Sequence, residues 1–312
     1  MHVGSVNVYL FTDPEPVLVD TGIKSAESWQ ALQVGLAEHG LTVLDLSRVI
    51  ITHAHVDHDG QAGTIVAHSD ADVWISEVGA PWLLAMEEQQ ERRMRFYSER
   101  FLPATGLPAA TTALISNGLQ AMAEQRDPVP AERIHAFGKD GVLQMGGRRW
   151  QVLFTPGHAS MQTCFYQPET RQLLAADMLL AITPVPVVES PPEGEAERVP
   201  ALPLFMESLA MIEGLDVDIV LPGHGRPFRQ HREVIERQRA RILERKNECL
   251  AWIKAGYTTA AELVDKMYAH RAVELRFAGL WMLIGYLDLL KMEGAIVERT
   301  VNGVWHYRPR PH

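Results

Sequence analysis

The chain has 312 residues, 46% hydrophobic and 22% charged, enough apolar content for a sizeable core in one or two domains, which excludes disordered and fibrous classes. Its formal net charge of −10 argues against a protein that coats nucleic acid over its whole surface. That charge is divided: from Gly225 onward there are 16 Lys+Arg and 10 Asp+Glu, against 13 and 29 before it.

Along the chain, Val6–Phe11 and Val17–Asp20 read as strands joined by the Asp13-Pro14 turn. Ser25–His39 carries apolar residues at helical spacing behind a Ser cap, Val49–Thr52 is a buried strand, Ala62–Ala67 a short helix and Val73–Ile75 a strand. This alternation predicts sheets covered by helices. Residues 80–133 interrupt it with a long helix-favouring insertion rich in Met, Glu, Arg and Ala. Strands resume at Val142–Met145, Arg149–Phe154, Thr163–Tyr166 and Gln172–Ala175. Thr183–Pro203 reads as an acidic, Pro-rich loop, then Ser208–Glu213 as a helix and Ile219–Leu221 as a strand. Beyond it the spacing predicts helices over Val234–Ile253, Thr259–Tyr268 and Val273–Met292, and a hairpin turning at Asn302-Gly303 between Ala295–Thr300 and Val304–Tyr307. Three helices and a hairpin follow the order of a winged-helix module. The two cysteines, Cys164 and Cys249, cannot form a disulfide framework, and Cys164 is expected to be a small core residue. The opening stretch MHVGSVNVYLFTDPEP lacks the basic and apolar regions of a secretory signal, and no segment approaches the roughly 18 apolar residues of a membrane span. A cytoplasmic protein with no membrane partner is expected.

Five of the 13 histidines fall in three segments that each begin where a strand ends. The first is Thr52-His53-Ala54-His55-Val56-Asp57-His58. Residues i and i+2 of an extended chain point the same way, so His53 and His55 are matched to one metal. Where the chain then turns, Asp57 and His58 face a second metal. His158 follows Thr155-Pro156-Gly157, and His224, in Pro222-Gly223-His224-Gly225, is placed to complete the second metal's ligands. Asp177 ends an apolar strand; beside these histidines its natural role is to bridge two cations and offset their repulsion.

The order HxHxDH, His, Asp, His, with the early Asp20-Thr21-Gly22, resembles the metallo-β-lactamase superfamily over residues 1 to about 228. The resemblance implies a mixed α/β fold (α+β), an αββα sandwich with a dinuclear site at one edge. His53, His55 and His158 would hold one metal, Asp57, His58 and His224 the other, with Asp177 between them. It also implies that Asp20 steadies the metal loop by hydrogen bonds and is not a ligand. Two cations lower the pKa of water enough for a metal-bridging hydroxide at neutral pH, with Asp57 orienting the nucleophile as the catalytic residue. Zinc suits the His/Asp set first; iron or manganese fits the same ligands.

The expected division is a core of residues 1–228, with the insertion at about 80–135, and a C-terminal helical, winged-helix-like domain of 229–312. The layout is similar to the β-lactamase-like protein 2 group, some members of which act on single-stranded RNA. The glutathione-binding C-terminal segment of glyoxalase II has no counterpart here, nor has the inserted domain of the β-CASP nucleases. The insertion is expected to wall the site, where Met86, Met94, Phe96, Tyr97, Phe101 and Met122 line a cavity or pack as core. The loop acids Glu189, Glu193, Glu195 and Glu197 would repel a polyanion. The expected function is therefore hydrolysis of a small-molecule ester, thioester or lactone. The alternative is a metal-dependent phosphodiesterase or ribonuclease whose C-terminal module grips nucleic acid, and a weaker third reading is a DNA-binding sensor. A homodimer is expected on the frequency of symmetric dimers.

Overall fold

Val17, Val49, Ile50, Ile51, Val73 and Ile75 are all fully buried, so the short apolar runs of the N-terminal half are covered on both faces. The computed structural model describes residues 5–182, 186–269 and 273–311, with backbone alone for 273–277. Its first sheet has five strands in chain order: β1 (Tyr9–Phe11), β2 (Val17–Val19), β3 (Arg48–Ile51), β4 (Asp72–Ser76) and β5 (Ile134–Phe137). β1 is antiparallel to β2, and the other neighbours run parallel. Between them lie α1 (Ala26–Ala37), α2 (Val56–Asp59) and α3 (Ala62–Ala67). The Ser25 hydroxyl caps α1 by accepting from the Ser28 amide at 3.1 Å.

The insertion forms α4 (Ala80–Leu84), α5 (Met86–Arg95), a wider turn over Phe96–Phe101, α6 (Leu102–Ala104) and α7 (Ala109–Ala123). After it comes a strand the sequence reading did not include: Ile134–Phe137 adds to the open edge of β4. Ile134-His135-Ala136-Phe137 is too short to carry a period of its own; only the free edge of β4 makes it a strand.

The second sheet joins β6 (Val142–Met145), β7 (Arg148–Phe154), β8 (Thr163–Gln167) and β9 (Gln172–Ala176) antiparallel, with β10 (Ile219–Pro222) parallel to β9. Val17, Val19 and Ile50 of the first sheet share a buried cluster with Met145, Trp150 and Phe165 of the second, so the sheets pack face to face. Helices cover the outer faces. Of the expected loop, residues 183–185 lie outside the described residues, and its far end is shorter than expected: α8 (Ala201–Glu213) starts seven residues before Ser208. Pro203 stands in its first turn, where a missing N–H costs no intrahelical bond.

α9 (His231–Lys254), α10 (Ala260–Tyr268) and α11 (Val273–Met292) precede the hairpin of β11 (Ile296–Val301) and β12 (Val304–Pro309). Asn302 at φ 49° and Gly303 at φ 81° supply the two positive-φ positions that a tight type I′ turn requires. This C-terminal part has no separate core. Trp281 of α11 lies 6.0 Å, ring to ring, from both Tyr97 and Phe101, and Trp305 lies 5.9 Å from Phe101. Phe96, Tyr97 and Phe101 therefore serve as core, while Met122 is exposed. Both cysteines are free and buried, and burial pushes each thiol up to about 12. Among the described residues no helix is long and apolar enough to cross a membrane.

Candidate metal centre

Four strand ends meet at one edge of the sandwich. β3 delivers Thr52 and His53; His55 stays extended (φ −97°, ψ 146°) and opens α2, whose turn carries Asp57 and His58 to the other side of the cluster. β7, β9 and β10 run in one direction in the second sheet and deliver His158, Asp177 and His224. Three sets of ligand atoms each fall within 4.8 Å of one another: His53, His55 and His158; His53, His58 and Asp177; and Asp57, His58 and His224. Asp177 lies centrally, with Oδ1 3.5 Å from His58 Nε2, and Oδ2 3.5 Å from His158 Nε2 and 3.4 Å from His224 Nε2. Asp57 Oδ2 is 3.3 Å from His224 Nε2, and the Asp57 side chain is 37% exposed, which puts it at the rim.

The fit to cations rests on orphaned atoms. Nε2 of His53, His58 and His224 and Oδ1 of Asp177 are buried with no hydrogen-bond partner, and His55 turns Nδ1 to within 3.0 Å of His158 Nε2. Burying one such atom unpaired costs on the order of 1–3 kcal/mol, so four at one edge fit ligation. The opposite ring nitrogens are held: Thr52 Oγ1 is 3.0 Å from His53 Nδ1, and Asp20 Oδ2 is 2.8 Å from His58 Nδ1. That pattern fixes the tautomer that turns Nε2 inward.

Asp20 also accepts from the Thr52 amide at 2.9 Å and the Thr52 hydroxyl at 2.9 Å, and sits at φ 61°, a conformation Asp and Asn tolerate best. Replacing Asp20 with Ala is expected to weaken cation affinity about 10–100-fold, as for other partners of metal-binding histidines, and to lower the Tm. Chelator titration alongside calorimetry checks both; unchanged affinity would leave Asp20 a turn residue only.

Burial pushes the His53 and His55 pKa values well down, and neighbouring imidazoles add to this. Burial acts the same way on His58 and His224 but is outweighed: Asp20, Asp177 and Asp57 hold His58 well above the ordinary value, and the Asp177 and Asp57 carboxylates, 3.4 and 3.3 Å from its Nε2, carry His224 to about 9. Burial opposes ionisation of Asp177, yet His58 and His224 hold it well below the ordinary carboxylate range. Binding of a cation by these histidines would release any protons they carry.

All eight residues singled out from the sequence stand at this one edge. Three others join them: Arg126 and Gly223, which the sequence did not mark, and Glu189, read there only as a loop acid. Arg126 of the insertion donates to the Ala54 carbonyl at 3.2 Å and lies 3.3 Å from Asp59, whose carboxyl burial raises to about 6. Glu189 is turned inward, accepting from the Ser160 amide at 3.0 Å, while Glu193, Glu195 and Glu197 are exposed. Gly223 packs its bare Cα against Asp177.

Comparison with known proteins agrees with this architecture. Residues 2–224 match the profile of the metallo-β-lactamase superfamily. The chain is 28% identical over 300 residues to the probable metallo-hydrolase YqjP of Bacillus subtilis, covering 95% of this chain and 91% of that protein. It is 23% identical over 282 residues to an atrochrysone carboxyl ACP thioesterase of Aspergillus fumigatus, covering 86% and 70%. The crystal structure of a metallo-β-lactamase family protein from Thermus thermophilus superposes with a TM-score of 0.77 at 27% identity, covering 99% of this chain and 95% of that one. A β-lactamase domain protein of Burkholderia ambifaria shares the fold at a TM-score of 0.81 and 24% identity, covering 97% and 88%. With its strand-end His/Asp cluster and a profile match over residues 2–224, the chain belongs to the metallo-β-lactamase superfamily, as one of its hydrolases.

Proposed function

We propose that the chain is a dinuclear metallohydrolase of small acyl substrates: an ester, a thioester or a lactone. His53, His55 and His158 would hold one divalent cation, Asp57, His58 and His224 a second, and Asp177 would lie between them. Zinc, or iron or manganese in the same N/O set, would supply Lewis acidity toward a carbonyl oxygen and acidify water. Asp57 works at the rim. Burial would raise its pKa, but His58, His224 and His55 hold it well below the ordinary carboxylate value, and as a carboxylate it would orient the attacking water. The superfamily hydrolase named a thioesterase supports an acyl substrate.

The choice of acyl over phosphodiester is supported by several basic side chains in or beside the C-terminal part that pair with carboxylates. Arg239 meets Glu213 at 3.0 Å, Arg198 meets Asp288 at 2.7 Å and Lys291 meets Glu298 at 2.8 Å, while Lys246 pairs with Glu293 and Arg245 with Glu248. Cations paired in this way give little grip on a phosphate backbone. The three helices and hairpin, winged-helix in order, are read as a brace for the insertion, with a small molecule as the partner.

The deciding experiment loads purified protein with zinc, manganese or iron. It then compares p-nitrophenyl butyrate, an N-acetylcysteamine thioester, a γ-lactone and bis-p-nitrophenyl phosphate. An acyl substrate is expected to exceed the diester in kcat/KM by at least about 100-fold, nearly 3 kcal/mol of barrier. Turnover of the diester alone, with RNA binding abolished at about 0.2 M salt, would make the phosphodiesterase the right reading.

A further inference from the structure

One nitrogen spans the turn that carries three of the candidate ligands. Nη2 of Arg126 donates to the Ala54 carbonyl at 3.2 Å and lies 3.3 Å from Asp59 Oδ1, and between those two residues stand His55, Asp57 and His58. The neighbouring carbonyls of the loop are met by backbone amides: Thr52 by Thr163 at 3.0 Å, His53 by His55 at 3.0 Å, and His55 by His58 at 2.8 Å and Asp59 at 2.9 Å. Ala54 takes its bond from a side chain 72 residues away. Asp59 is 3% exposed, and among the described residues no hydrogen bond reaches either of its side-chain oxygens. The Arg126 guanidinium supplies the opposite charge that makes this burial tolerable.

The insertion delivers that guanidinium on a backbone fixed without it. The Asp127 amide donates to the Gly60 carbonyl at 3.1 Å, the Lys24 amide donates to the Gln125 carbonyl at 3.1 Å, and the Asp127 carboxylate accepts from the Thr64 hydroxyl at 2.5 Å. Gly63 permits the close approach, since a Cβ there would stand 2.4 Å from the Pro128 carbonyl oxygen. Residues 125–128 are therefore held against α2 and α3 by their own contacts, and the Arg126 side chain is left to act on the turn. Fixing both ends of a turn to one rigid planar group removes conformations in which its side chains point apart. That is preorganisation, which lowers the cost of gathering ligands around an ion.

We propose that Arg126 is a positioning residue of the metal centre: the insertion uses it to hold the turn from Ala54 to Asp59 in the shape that presents His55, Asp57 and His58 to the cations. The proposal rests on the dinuclear reading above.

Cobalt(II) titration of the metal-free, full-length chain tests it, because the visible absorption of bound cobalt reports the geometry around the ion. Arg126→Met is expected to bind cobalt about 10–100-fold more weakly, with an absorption spectrum that differs from that of wild type. The double variant Arg126→Met, Asp59→Asn buries no unpaired charge, and it keeps the test open should Arg126→Met alone fail to fold. It is expected to stay about tenfold or more weaker than wild type, because nothing holds the Ala54 carbonyl. Wild-type affinity and spectrum in either folded variant, whatever the change in Tm, would make Arg126 a packing residue and overturn the proposal. Uptake of a single cobalt ion by the wild-type chain would count against the dinuclear reading alone, and the affinity for that ion would still decide Arg126. Uptake of none would overturn both.

Discussion

Asp177→Ala is expected to lose at least one cation per chain and to lower kcat/KM roughly a thousandfold or more, beyond the 10–100-fold typical of an outer hydrogen-bond partner. The carboxylate is 4% exposed and lies within 3.5 Å of the Nε2 atoms of His58, His158 and His224. Removing it leaves buried imidazoles facing one another with less counter-charge, and two dications there would repel each other across a low-dielectric gap. The fold itself should survive, because the variant also removes the cost of burying an anion. Metal analysis after dialysis, paired with activity and thermal unfolding, makes the check. Two tightly held ions per chain in Asp177→Ala would refute the central placement of this carboxylate.

Gly223→Ala should approach that loss without touching a single candidate ligand. A Cβ at position 223 would stand 2.1 Å from Asp177 Oδ1 and 3.0 Å from His58 Cε1. The backbone cannot retreat easily, since the Gly223 amide donates to the Ala176 carbonyl at 2.7 Å and its carbonyl accepts from the Asn7 amide at 2.7 Å. The Asp177 carboxylate must therefore swing away, and a displacement of about 1 Å at a reacting centre costs about 100-fold in rate. Metal titration and steady-state kinetics measure this, with circular dichroism reporting the fold. Native affinity and a rate within about twofold of wild type would show that the cluster tolerates such a shift.

The histidine motifs are legible because their chemistry is local. His53, His55, Asp57 and His58 lie within six residues, and the alternation of an extended chain followed by one helical turn divides them between two directions. His158, Asp177 and His224 are legible as strand-end residues because apolar runs announce the strands before them. β5 and the first half of α8 are not legible: one depends on the free edge of β4, the other on a proline in a first turn that looks like loop composition. The contacts of Glu189 and Gly223 carry no signal either. Each matters through a neighbour far away in the chain, as Glu189 does through Ser160 and Gly223 through Asp177.

The acidic loop and the C-terminal charge show the same division. Composition alone places four glutamates near Asp177, but the structure buries Glu189 against Ser160 and leaves the other three exposed, where solvent screens them. The excess of basic residues after Gly225 is readable from the chain; the pairing of some of them, such as Arg239, Lys246 and Lys291, with acidic side chains is not. By itself the sequence determined the strand-end motifs, the helical insertion and the order of elements, because periodicity and turn chemistry act over a few residues. Only the tertiary structure decided which nitrogens are left unpaired and what a glycine makes room for. Those properties belong to contacts between distant segments, where burial and the distance between charges set the energies.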